Sequence, residues 1–348
     1  YLGNTNNLYL FAYALNEKNI SPTSVTFHTD TKLIGGSLLE GENSVTSITL
    51  NEGLTFIGAG AFRETSITEI TIPSSVKEIA TDAFTGCTKL VTCTINGNSL
   101  ETIGNQAFSG ASALTTINIP SSVKEIGSYA FSKFDEASSL QYNVKDGGRY
   151  LGNSENPYYA FIELEDKSAT TFSLNPNTVL MAGQCLRDAN NIATFSIPTS
   201  VKYIGESAFF QMSSLTSIVV PETVLSMGSG LFGTCGKLTS ITLNNHPTEL
   251  GSGFADSCPK LASLNIPSSV KKIGGRFITR NEAMQSLVIS SSVLEIQKGA
   301  IDDAKKLFVF IEAESDLAFY EDGWCSGVAK RYYGGQWEYK NGVPSPKQ

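Results

Sequence analysis

Histidine is nearly missing from this chain, which has two in 348 residues, along with two tryptophans and four methionines. His28 and His246 stand far apart in the sequence. A general base, a metal site or a nucleophile dyad would have to be built without a histidine cluster. The motifs that carry such chemistry are missing too: no Gly-x-Ser-x-Gly elbow, phosphate-binding loop, His-Glu-x-x-His or Cys-x-x-Cys. Acidic neighbours do occur, at Asp302-Asp303 and Glu163-x-Glu165. In an acidic protein they read as a solvated face rather than a catalytic pair. The sequence predicts a non-enzyme with no cofactor and no metal.

Positive charge is also short. Twenty-five Lys and Arg against 33 Asp and Glu leave a formal net charge of -8 and a pI near 5.0. A phosphate backbone is therefore a poor partner, because nucleic-acid binding relies on a basic footprint. No run of about eighteen apolar residues exists to span a bilayer. The first residues lack the charged-then-apolar order of a signal peptide.

What the chain has in abundance is repetition. The phrase "LTTINIPSSVKEIGSYAF" from Leu114 recurs as "ITEITIPSSVKEIATDAF" from Ile67, "IATFSIPTSVKYIGESAF" from Ile192 and "LASLNIPSSVKKIGGRF" from Leu261. Looser copies start at Leu90, Leu215 and Leu238 and near Val45, Ala169 and Gln285. A step of about 23 residues marks a solenoid, in which each turn buries its apolar side only against its neighbours. Within a turn, Ile117 and Ile119 alternate with Thr116 and Asn118, the period-two pattern of a short strand with one face in the core. Pro120 ends it, having no N–H for a ladder. Val123 and Ile126 point inward again, Gly127 serves as a turn residue, and Ala130 and Phe131 fill the last side. In-register stacking of these strands predicts a parallel sheet along one face of a curved rod.

The pattern I-P-x-S-V-x-x-I-G-x-x-A-F resembles the BspA-like leucine-rich repeats of microbial cell-surface proteins, from about residue 20 to about residue 311. The resemblance implies a right-handed leucine-rich-repeat solenoid on a cell surface or outside the cell, with no enzymatic activity. It further implies adhesion to a protein of the host extracellular matrix, to another microbe or to a surface glycan. The family's motif positions are core positions, so no binding residue carries over from them.

A longer repeat lies over the short one. "YLGNTNNLYLFAYAL" at residues 1–15 returns as "YLGNSENPYYAFIEL" at 150–164, and "TKLIGGSLL" from Thr31 returns as "TVLMAGQCL" from Thr178. The expected organisation is a solenoid over 1–311 made of two modules, 1–149 and 150–311, with a hairpin insertion at about 133–168 and a capping segment at 312–348. Asp146-Gly147-Gly148, between alternating residues, is the hairpin signal. The first module lacks the matching upstream strand. Tyr1 therefore falls inside a module, and a leader peptide is expected to be absent from the chain as it stands.

Cysteines follow the repeat. Cys87, Cys235 and Cys258 come three or four residues after a Phe, Cys93 replaces a strand isoleucine and Cys185 a core alanine, while Cys325 lies in the tail. They read as small core residues. Cys235 and Cys258 sit on adjacent turns about 4.8 Å apart, so a disulfide between them stays open beside the reading as two buried thiols.

Two surfaces are candidates for a ligand. One is the outward strand face, where Thr92, Thr94, Thr116 and Asn118 exemplify a column of small hydroxyl and amide groups. Such residues also simply keep a sheet soluble, and the Ser, Asn, Glu and Val interruptions spoil any regular array for ordering ice. The other is aromatic: Tyr142, Tyr150, Tyr158 and Tyr159 in the insertion, and Trp324 and Trp337 in the tail. A hairpin closing the last turn accounts for the tail, and a sugar-stacking site is the other reading. Two further functions stay open, a carbohydrate-binding surface protein in nutrient capture and a structural spacer.

Overall fold

The structure is a computed structural model that describes residues 2–4, 7–13, 22–131, 139–315 and 319–347. Tyr1 and residues 133–138 of the expected insertion lie outside this set. It divides into two compact units. Unit 1 comprises Tyr1–Lys145 with Arg149–Ile162, and unit 2 comprises Asp146–Gly148 with Glu163–Gln348. Every regular element among the described residues is a strand, and each unit is a parallel β-solenoid.

Each turn contributes to two ladders rather than the single sheet expected. The Ile-x-Ile stretch builds the first. In unit 1, Glu69–Ile72, Thr92–Ile95 and Thr116–Ile117 pair in parallel, with Glu69 opposite Thr92 and Thr92 opposite Thr116. Those steps match the sequence period. The second ladder comes from the two residues before the repeat glycine, which is Ala80 in one turn, where Phe56–Ile57, Glu78–Ile79, Thr102–Ile103 and Glu125–Ile126 pair in register. A two-residue strand is too short to show a period of its own, so only stacking reveals it.

The third side of each turn is bonded as well, in the opposite direction. Phe84 N–H donates to Ala107 and Phe108 N–H to Ala130 of the following turn, both at 2.8 Å. This needs left-handed backbone at recurring positions, occupied by Asp82, Gln106 and Tyr129 with φ of 59°, 56° and 58°. Inside it runs a column of buried rings. Phe84–Phe108 and Phe108–Phe131 stack at 5.1 and 5.6 Å with planes 6° apart, and unit 2 repeats the arrangement at Phe209–Phe232, 5.2 Å. Each buried ring contributes about 1.5–3 kcal/mol of transfer free energy.

The repeat glycine is explained by proximity rather than by turn conformation. A Cβ on Gly127 would sit 2.4 Å from Asn105 N, and one on Gly104 would sit 2.5 Å from Thr81 N. Adjacent turns approach so closely there that a side chain displaces backbone.

Unit 1 closes on the chain after the hairpin. Ile119 N–H donates to Gly152 O at 2.9 Å, and the Asn153 amide returns a bond to Ile119 O at 3.0 Å. Asn143–Lys145 and Gly148–Leu151 are hydrogen-bonded neighbours joined through Asp146 and Gly147, with φ of 51° and 81°. Two left-handed residues in a two-residue loop are the tight hairpin that Asp-Gly favours.

In unit 2 the first ladder runs through Ser217–Val220, Ser240–Leu243 and Ser263–Leu264, then through Ser286–Ile289, Ala304–Ile311 and Val328–Tyr332. Beyond it, Trp337–Lys340 and Val343–Pro346 form an antiparallel hairpin around Asn341 and Gly342, φ 52° and 78°. This tail hairpin repeats the earlier one in sequence: Gln141-Tyr142-x-x-Lys145-Asp146-Gly147 matches Gln336-Trp337-x-x-Lys340-Asn341-Gly342. Lys347 N–H donates to Gln336 O, which fixes the alternation of bonded pairs. Pro344 and Pro346, opposite Tyr339 and Trp337, therefore turn their nitrogens away from the partner strand.

Candidate functional site

The outward strand positions are exposed in unit 1 and exposed or half-buried in unit 2, where Ser240 and Ser286 are half-buried. Thr92, Thr94, Thr116 and Asn118 point out of unit 1 while Cys93, Ile95, Ile117 and Ile119 are buried. Thr92, Thr94 and Thr116 are paired in the ladder, and the face offers a partner mainly hydroxyl and amide side chains, with Glu69 opposite Thr92.

The aromatic candidates separate. Tyr150 is 0% exposed, Tyr159 4% and Trp324 2%. These three are interior residues, so the solvent-facing surface expected of them is not there. Tyr150 packs edge-on against Tyr158 at 5.6 Å and against Phe161 at 5.3 Å. The Tyr159 hydroxyl lies 2.9 and 2.7 Å from the carbonyl oxygens of Ser121 and Val123 and is shared between them. Trp324 packs edge-on against Tyr320 at 5.4 Å. Tyr142, Tyr158 and Trp337 are half-buried. The Arg149 guanidinium sits 5.6 Å from the Tyr142 ring. Trp337 lies against Phe310 at 5.4 Å and donates Nε1–H to Ile311 O at 2.9 Å, which fixes the tail hairpin to the last strands.

Tyr339, like Tyr9, Tyr13, Tyr129 and Phe308, is an exposed aromatic. Tyr339 is 57% exposed and rests edge-on against Trp337 at 5.4 Å. With Pro344 it walls one side of a groove of about 710 Å³ whose floor is the outward face of unit 2, including Ser240, Thr242, Asn244, Ser263, Asn265 and Ser286. Sequence reasoning placed aromatic residues in the tail and the hydroxyl groups on the strands but did not bring Tyr339 to them. Their juxtaposition depends on how the hairpin folds back, and no local signal carries it.

Among the described residues, Glu312 is the one charged residue lining the groove. Its Oε2 accepts from the Ser291 N–H at 2.9 Å and the Ser290 hydroxyl at 3.2 Å. A denser charge cluster surrounds Asp256, whose carboxylate accepts from Arg276 at 2.6 Å, Arg280 at 3.2 Å, Ser257 at 2.9 Å and the Thr279 hydroxyl. Partial burial pushes this carboxyl up, and the bonds from Thr279, Ser257, Arg280 and Arg276 more than reverse it, leaving the pKa below the usual carboxylate value. Its oxygens are spent on joining turns.

All six cysteines are thiols, Cys235 and Cys258 included. Three of them share a contact invisible in the sequence: Cys87, Cys235 and Cys258 reach back to the carbonyls of Phe62, Phe209 and Phe232 at 3.1, 3.2 and 3.0 Å. Burial pushes the Cys87 thiol up to about 11 and Cys93 to about 12. The hydrogen bond with Cys258, added to burial, raises Cys235 further. His246 is exposed, and His28 stacks on Tyr9 at 3.8 Å. Among the described residues, no three His, Cys, Asp or Glu gather as a metal site, and no helix is long and apolar enough to cross a membrane.

The family profile described as BspA type leucine rich repeat region matches residues 10–138 and 181–307 in six copies. The chain belongs to this family. No curated protein gives a significant match. Among solved structures, a leucine-rich repeat protein from Eubacterium ventriosum is 18% identical, covering 92% of this chain and 95% of that one with a TM-score of 0.45. A leucine rich cell surface protein from Faecalibacterium prausnitzii is 24% identical over 90% and 79%, TM-score 0.37. The pneumococcal vaccine antigen PcpA is 17% identical over 92% and 83%, TM-score 0.41. In this BspA-type chain the apolar positions of the repeated phrase form the core, and outward positions of one copy, Ser263 and Asn265, line the groove.

Proposed function

We propose that this BspA-type chain is a non-enzymatic binding protein, displayed at the cell surface or released outside the cell, that adheres to a protein of the host extracellular matrix or to another cell's surface. The observation that carries this reading is the outward strand face. Exposed Ser, Thr and Asn groups recur turn after turn on a scaffold whose backbone and apolar residues are committed to stacking. Such a face provides area and rigidity rather than reactive groups, and display in many copies multiplies weak contacts. Two modules, 1–149 and 150–311, would carry the face, and residues 312–348 would close it. The test is binding of the purified chain to immobilised matrix proteins and to whole cells, beside a Thr92→Arg/Thr116→Arg variant. Saturable binding that the variant loses supports adhesion through this face. A folded chain that binds nothing supports a spacer instead.

A further inference from the structure

We infer that the groove of unit 2, between the outward strand face and the tail hairpin, is a binding site for a neutral oligosaccharide. The inference deepens the binding-protein reading and rests on it.

The floor decides the ligand's chemistry. Below the groove Ser240–Leu243 pairs with Ser217–Val220 and with Ser263–Leu264, and among the described residues no ladder joins Ser263–Leu264 to Ser286–Ile289. A peptide that adds to a sheet needs an open strand edge, and the peptide comparison below tests that occupant. The side chains of the floor supply the Ser240, Thr242 and Ser263 hydroxyls and the Asn244 and Asn265 amides. Each hydroxyl and each amide both donates and accepts, as does a sugar hydroxyl. A ligand rich in hydroxyls can therefore satisfy the floor without leaving a group unpaired.

The wall supplies the apolar half. Tyr339 keeps 57% of its surface exposed yet is held in place, because Trp337 beneath it is itself anchored to Phe310 and Ile311. An exposed aromatic ring with restricted motion beside a polar floor matches the two faces of a pyranose, one of C–H bonds and one edge of hydroxyls. Pre-organisation of this kind lowers the ordering cost of binding. The volume, about 710 Å³, falls within the roughly 300–1,000 Å³ typical of small-molecule sites and suits a short oligosaccharide.

Charge narrows the class further. Among the described residues Glu312 is the sole ionic one lining the groove, and no basic one lines it. An anionic glycan would meet a carboxylate with no compensating cation, so the ligand is neutral. Glu312, tied through Oε2 to Ser290 and Ser291, is placed to accept from sugar hydroxyls.

The experiment titrates the whole chain with maltohexaose, cellohexaose and chitotetraose. A hyaluronan hexasaccharide serves as the anionic comparison and an extended proline-rich peptide as the peptide comparison, with calorimetry as the readout. At least one neutral probe is expected to bind, Tyr339→Ala to weaken it about tenfold or more, and Tyr339→Phe to retain most of the affinity. Asn265→Leu should weaken it, and Thr194→Ala, on the same kind of face outside the groove lining, should not. Tyr339 is exposed, so its variants are expected to melt as the parent does, and circular dichroism checks this. Three results would overturn the inference: no neutral probe binding to a folded chain, binding indifferent to Tyr339→Ala, or the peptide or hyaluronan binding in place of the neutral probes. If matrix-protein or cell binding persists when the sugars fail, the adhesion reading stands while the groove assignment falls. If both fail, neither stands.

Discussion

The indole Nε1–H of Trp337 donates to the carbonyl oxygen of Ile311 at 2.9 Å, so a residue of the tail hairpin satisfies the last residue of the Ala304–Ile311 strand. Replacing Trp337 by Phe keeps an aromatic ring against Phe310 and removes the donor. The expected cost is about 1 kcal/mol, with earlier proteolysis of the tail than of the repeats. Limited proteolysis and a thermal melt check it, and an unchanged cleavage pattern would show that the bond does not hold the hairpin.

Thiol chemistry should distinguish one cysteine from five. Cys87, Cys93, Cys185, Cys235 and Cys258 are buried and Cys325 is intermediate. Burial raises the first two thiols to about 11 and 12, so at pH 8 almost no thiolate is available in the folded state. A disulfide-exchange reagent is expected to label Cys325 alone in the native protein and all six cysteines in denaturant. Rapid native labelling at a second site would contradict the packing at the Phe carbonyls.

Gly104→Ala tests how closely the turns approach. The new methyl carbon would lie 2.5 Å from Thr81 N and 2.6 Å from Ala80 C, both backbone atoms that cannot swing aside. Overpacking of this kind costs about 1–3 kcal/mol. The same change at Gly236, where nothing lies within 4 Å, should have little effect. A denaturant titration of both variants makes the comparison.

The Asp256 cluster gives a pH dependence with a definite sign. Its folded pKa is depressed, so its contribution is present above the unfolded value, about 3.9, and is lost as pH falls through the folded value. Asp256→Asn should lower the melting temperature at pH 7 and narrow the gap from the parent as the pH drops below about 4. A gap that stays constant down to pH 2 would remove the carboxylate from the account.

The repeat register was legible because an error would turn isoleucines outward. Once Ile70, Ile117 and Ile218 are placed inward, the pairings Glu69 with Thr92 and Ser217 with Ser240 follow. The second ladder was not, since Glu78–Ile79 and Thr102–Ile103 are too short for a period. Nor were the left-handed positions, because residues as unlike as Asp82, Gln106 and Tyr129 fill them; the stack imposes that conformation on whatever residue is there. In the candidate site, the outward hydroxyl groups could be read directly, whereas the burial of Tyr150, Tyr159 and Trp324 depends on chain segments folding back over them. Tyr339 reaches the groove by the same kind of long-range placement.

Pro344 and Pro346 turn their nitrogens to the outer edge of the tail hairpin, and a proline nitrogen has no hydrogen to give. In the hairpin at 143–151 the corresponding positions are Arg149 and Leu151, which keep their N–H groups. An edge stripped of donors cannot template another strand. Where many copies stand side by side, this strand edge withholds the N–H groups through which neighbouring chains would zip into a shared sheet.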